Sequence, residues 1–135
     1  MVGFTKSERS TFKYWFAHWC SFNMTAFNLH IWRPKYLLHD IEKQWLKLFC
    51  KYKTVQRMHR YHSSHHMEYH IKHGFNKMDW LAMVVDNECS RFTKLDSPMT
   101  AREWYDYILK SNHYTPEETE QMTEHYLPIL NKLNL

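Results

Sequence analysis

Gly3 and Gly74 are the only two glycines in 135 residues, and prolines number four. A fold built from strands needs many turns with special backbone angles, so this scarcity disfavours an all-β architecture. It also leaves no material for a glycine-rich phosphate-cradling loop. Cysteine is sparse as well. Cys20, Cys50 and Cys89 are odd in number and form no CxxC pair, and the segment Met1–Lys6 lacks the apolar stretch of a secretory signal. Both features fit a reducing cytoplasm. Charge of one sign is not in large excess: the net charge is +4 with histidines neutral, and Lys and Arg are scattered. That balance favours small anionic ligands such as nucleotides but is no nucleic-acid-binding signature. Long apolar runs are missing too. The stretch from Tyr14 to Trp32 carries no formal charge, yet His18, Ser21, Asn23, Thr25, Asn28 and His30 interrupt it too often for a bilayer. A buried helix is the better reading, and no membrane partner is expected.

Histidine, by contrast, is abundant. Of eleven in the chain, six fall in the fifteen residues from His59 to His73. The remaining pattern is helical throughout, and the length suits one domain with a core over about residues 10–130. Ser7 or Ser10 can cap a first helix to about Leu29, with the stripe Phe12, Trp15, Trp19, Phe22, Ala26 and Leu29. Pro34 starts a second helix, whose face Leu37, Ile41, Trp45 and Leu48 leaves His39, Asp40 and Lys43 on the other side. That polar face is either solvated or turned toward a site.

A third helix is expected from about Thr54 to Lys72, closed by Gly74, with Val55, Met58, Tyr61 and Tyr69 on its apolar side. His65 falls within that side, and His59, His62, His66, His70 and His73 form an overlapping stripe. Asn76 and Asp79 resemble a capping box for a fourth helix carrying Met78, Leu81, Ala82, Val85, Cys89 and Phe92, with Asp86 at its border. Thr100 with Glu103 and Thr115 with Glu118 cap two more helices, and Pro128 is expected to kink or shorten the last. The expected fold is an all-α bundle of about five or six helices. The many aromatic residues belong by default to its core.

His39-Asp40 supplies a nitrogen and an oxygen ligand side by side, a mixture suited to divalent metals such as Mn, Fe or Zn. With His18 before it, the third-helix histidines after it and Asp86 further on, four segments offer ligands in the order His, His-Asp, His, Asp. In that order the chain resembles the HD-domain superfamily of metal-dependent phosphohydrolases. His39-Asp40-Ile41-Glu42-Lys43 is similar to its H-D-I-G-K segment, with Glu42 where a small residue is usual. The likeness extends to a group of short HD-like proteins of bacteria and phages. These have an early His (here His18), a segment H-x5-H-H followed by an aromatic (His59, His65, His66, Tyr69), an acidic residue in an apolar helix (Asp86) and a late W-Y pair (Trp104-Tyr105). Asn87 departs from that group, which tends to have Trp there.

The resemblance implies an HD-like fold in which His18, His39, Asp40 and Asp86 hold one cation. His59, His65 and His66 would complete a second or contact substrate, with Asp40 bridging. One or two ions of Mn, Fe, Mg, Zn or Ni would then activate water against a phosphoester. Lys43 would neutralise phosphate charge, and Arg57 and Arg60 would bind the substrate. A nucleotide or other small phosphoester is the expected substrate. An HD-like di-iron oxygenase and a non-catalytic metal- or ligand-binding protein are the competing functions. His62, His70 and His73 are expected to pack or face solvent.

Overall fold

The computed structural model describes residues 3–135; the Met1-Val2 part of the signal-peptide reading lies outside them. The described residues form seven α-helices and four short 3₁₀ turns. These helices are α1 (Phe12–Asn28), α2 (Glu42–Leu46), α3 (Tyr52–His62), α4 (His70–His73), α5 (Trp80–Ser90), α6 (Ala101–Ser111) and α7 (Pro116–Lys132). Among the described residues no sheet occurs; one isolated bridge joins Phe4 to Lys94. No helix among them is long and apolar enough to cross a membrane.

α5 is the central element. One side of it packs on α6 and α7, where Met83, Val84, Tyr105, Met122, Tyr126 and Leu130 are buried together. On its other side Ala82, Val85 and Cys89 meet Phe22 and Ala26 of α1 and Tyr36 of the Pro34–Leu38 turn. Each fully buried Val, Leu, Phe or Met among them contributes roughly 1.5–3 kcal/mol. Packing begins before residue 10: Phe4 is buried, and its backbone exchanges hydrogen bonds with Thr93 and Leu95.

The two capping boxes hold as expected, Thr100 with Glu103 and Thr115 with Glu118. Pro128 does not shorten α7, which continues to Lys132. Gly74 closes α4 with φ 83°, a backbone angle at which a Cβ is strained.

Other expectations are corrected. Thr11, rather than Ser7 or Ser10, caps α1, its hydroxyl accepting from the Tyr14 amide. The face α1 buries is His18, Ser21, Phe22, Thr25 and Ala26, so Phe12 in the anticipated stripe stays exposed. Burying His18 rather than Phe12 rotates the helix, because the imidazole and Ser21 find polar partners on α5. Asp79 caps α5, accepting from the Ala82 amide, and Asn76 precedes it in a 3₁₀ turn.

The second helix is not continuous. A 3₁₀ run from Pro34 ends at Leu38, His39 turns extended (ψ 122°), and Asp40 takes the left-handed φ of 58°. The third helix breaks as well. α3 stops at His62, and Ser63 and His66 are extended, so His65 and His66 sit in a turn. Both breaks fall where buried polar groups must reach one point, and that requirement overrides local propensity. The expected apolar face of the second helix is accordingly left in solvent, with Leu37, Ile41, Trp45 and Leu48 all exposed.

Candidate metal centre

The break at His39-Asp40 builds the site. In a continuous helix consecutive side chains diverge by about 100°. Here the left-handed residue turns both inward, and His39 and Asp40 are 7% and 4% exposed. Aspartate is among the few residues that tolerate this backbone. The Trp15 indole N–H clamps the break by donating to the Asp40 carbonyl at 3.0 Å. The Phe22 ring stacks on the His39 imidazole with centroids 3.6 Å apart, and Tyr14 stacks on His18.

Two donor groups meet there. In the first, His18, His39, Asp40 and Asp86 each bring one ligand atom within 4.8 Å of the others. His18 Nε2 and His39 Nε2 are 3.1 Å apart, and Asp86 Oδ1 is 2.9 Å from the former and 3.1 Å from the latter. At most two ring protons cannot turn these three edges into aligned hydrogen bonds. One cation satisfies all three, since neighbouring octahedral ligands about 2.1 Å from a metal lie about 3.0 Å apart.

In the second group, His59, His65 and His66 converge in the same way. Asp40 joins the two. Its Oδ1 is 3.0 Å from His59 Nε2 and 3.3 Å from His65 Nε2, while Oδ2 lies 3.7 Å from His18 Nε2 and 3.6 Å from His39 Nε2. Close as they are, the pairs on Oδ1 are not aligned as hydrogen bonds: Asp40 Oδ1 and the Nε2 atoms of His59, His65 and His66 are all buried without such a partner. Buried polar atoms nearly always find one. Four orphaned atoms, all of ligand type and from three segments, fit donors arranged about a shared cation. These buried groups could hold a metal ion; their chemistry leaves its identity open among divalent metals that accept N and O donors.

Electrostatics follows from burial. It pushes His39 down to about 4 despite the nearby carboxylates, and drives His66 well below the ordinary imidazole value, so both present free lone pairs at neutral pH. Burial would raise Asp40, but His39, Lys43, His59 and His65 outweigh it and hold the carboxyl well below the usual range. For Asp86 burial is likewise overcome, here by His18 and His39. Although burial opposes it, His59 is raised, because Asp40 and Glu42 stabilise its proton.

Glu42 and Ser63 support His59 from behind. The Glu42 carboxylate contacts His59 Nδ1, and Ser63 Oγ lies 3.0 Å from the same nitrogen. A carboxylate on one ring nitrogen fixes the tautomer and aims the other at the metal. The residue that departs from the H-D-I-G-K pattern thus orients a donor. Only that departure marked it in the sequence.

A cavity of about 130 Å³ borders the site, and Arg9, Lys43, Lys47, Arg60 and Lys94 all line it. The Lys43 ammonium donates to Asp40 Oδ2 at 2.7 Å, and that carboxylate outweighs burial and raises its pKa. Lys94 is pushed down by burial. Arg9 and Lys94 carried no sequence signal, being distant in the chain from the His-rich segments.

Seven expected donors, His18, His39, Asp40, His59, His65, His66 and Asp86, therefore come together, with Lys43 and Arg60 at the cavity. Arg57 does not: it faces a separate groove with Met58, Tyr61, His62 and Lys72, because two residues along α3, about 200° of turn, put it on the side opposite His59. His62 and His73 are exposed, and His70 pairs with Glu118 at 2.9 Å. Asn87 donates to the Tyr126 hydroxyl at 3.0 Å. Comparison with protein-family models, with curated proteins and with solved structures found no match.

Proposed function

We propose that this chain is a metal-dependent phosphohydrolase of HD-like type, acting on a nucleotide or another small phosphoester. The observation that carries the reading is the placement of five cationic side chains around a cavity that His18, Asp40, His59, His66 and Asp86 of the cluster also line. A cation held there supplies Lewis acidity, lowering the pKa of water toward ~7 and polarising a phosphoryl oxygen.

The chain's own groups divide the remaining work. Asp40 serves both donor groups through its two oxygens, so it sets their separation. Lys43 stays an ammonium beside Asp40 and acts as a fixed positive charge rather than a proton donor. Arg60 and Lys94 reach the same cavity and offset phosphate charge as the substrate enters. The fully buried Phe22 ring excludes water from the face of His39 on which it stacks.

A second reading has its own support. Two imidazole nitrogens and one carboxylate oxygen with edges of 2.9–3.1 Å also make the face used by non-haem iron oxygenases, so a di-iron oxygenase remains the alternative. Protein loaded separately with Mn(II) and Fe(II), offered a panel of nucleotides, cyclic nucleotides and aryl phosphates, separates the two. Phosphate or phosphomonoester release that is lost in Asp86→Ala supports hydrolysis. Oxygen consumption by the Fe(II) form without release supports the oxygenase. Inertness of both forms in both assays contradicts enzymatic turnover.

A further inference from the structure

The face of α1 turned away from the core, and the segment lying beside it, carry a strip of apolar side chains that nothing among the described residues covers. Phe12, Phe16, Ile41, Trp45, Leu48 and Phe49 are between 39% and 85% exposed. Its two parts adjoin. Phe12 packs at a tilt against Trp15 and Phe16 stacks on Trp19, at centroid distances of 5.4 and 6.0 Å. Those two indoles donate to the carbonyls of Asp40 and Leu37, which fastens the Leu37–Ile41 segment along α1. From Ile41, Trp45 and Leu48 follow at helical spacing.

At about 200 Å² for a large apolar side chain, these six expose roughly 750 Å². The largest apolar patch on a typical monomer is smaller, at roughly 300–600 Å². Paired on itself about a two-fold axis, the strip buries roughly 1,500 Å², within the range of a stable interface. α1 adds no formal charge after Lys13 to oppose such pairing.

We infer that this strip is a homodimer interface, its occupant a second copy of the same chain. The pairing does not depend on the metal or on the reaction. It does bear on the site, because Trp15 belongs to the strip and also lines the cavity, so the partner covers ground next to the cavity mouth.

Sedimentation equilibrium of the full chain tests it. Wild type at micromolar concentration is expected to have twice the 16.8 kDa mass of one chain. Trp45→Glu and, separately, Phe16→Glu should each weaken association at least tenfold, with unchanged helical circular dichroism. Tyr107→Glu, an exposed aromatic on α6 outside the strip, should dimerise like wild type and serves as the control. A wild-type protein that is monomeric at 100 μM overturns the inference. So does equal dimerisation of both strip variants, or a monomer that instead binds vesicles of anionic phospholipid through the strip.

Discussion

Replacing Asp40 by Asn changes one atom and leaves the rest of the site intact. The left-handed backbone at φ 58° suits Asn as well as Asp, so the substitution adds little strain. Ala would add roughly 1–2 kcal/mol at that angle, which makes Asp40→Asn the cleaner probe. An amide has one oxygen, and its NH₂ group cannot ligate. The carboxylate now faces His59 and His65 with Oδ1 and His18 and His39 with Oδ2, so Asn serves one donor group at most. Losing an outer-shell partner of a metal already costs about 10–100-fold in affinity, and a lost anionic ligand must cost at least the upper figure, about 2.7 kcal/mol. Stability of the metal-free protein should fall by roughly 1–3 kcal/mol as Lys43 loses its partner; that is less than the penalty of a fully buried broken pair, because the lysine can swing toward the cavity. Calorimetric titration with Mn(II), alongside urea unfolding of the metal-free form, reads both quantities. Binding of the same number of ions within threefold of wild-type affinity would refute the bridging role of Asp40.

Three further outcomes are expected. Glu42→Gln should weaken binding at the His59 group by about 10–100-fold while leaving the other group unchanged, seen as loss of one of two steps in the same titration; a loss shared equally by both steps would count against its aiming His59. Arg60→Ala should raise KM for an anionic phosphoester with little change in kcat, whereas Arg57→Ala should leave both within twofold; equal effects would place the substrate elsewhere. For pH, His39 falls from 6.5 to about 4 on folding, so the unfolded chain binds more protons between those values. The contribution of His39 to the stability of the metal-free protein is therefore full above about 6.5 and lost as pH falls toward 4, by up to about 3 kcal/mol. Urea midpoints that stay flat over that window would show that His39 is not buried neutral.

Local chemistry explains what was legible in the sequence and what was not. The Thr100/Glu103 and Thr115/Glu118 boxes lie within one turn of chain, and both form as read. The seven donors were legible from type and order, since His18, His39-Asp40, the histidine segment and Asp86 needed only to converge. How they converge was not. A left-handed Asp40 and an extended Ser63–His66 turn are imposed by partners 19 to 47 residues away, against the helical pattern of their own neighbours. The same pull turned α1 so that His18 faces Asp86, and Phe12, which a periodicity argument assigns to the core, became surface. Glu42 shows the limit from the other side: a departure from a motif becomes informative only once His59 is seen beside it.

The most direct measurement is metal content per chain, by elemental analysis of protein purified without a histidine tag and then re-equilibrated with Mn(II), Fe(II) or Zn(II). One or two tightly held ions per chain are expected in wild type and in His73→Ala, and a marked loss in Asp86→Ala with helicity retained. Wild-type protein that holds no divalent ion under any of these conditions, or an Asp86→Ala variant that holds as much as wild type, would contradict a shared cation at the centre of this fold.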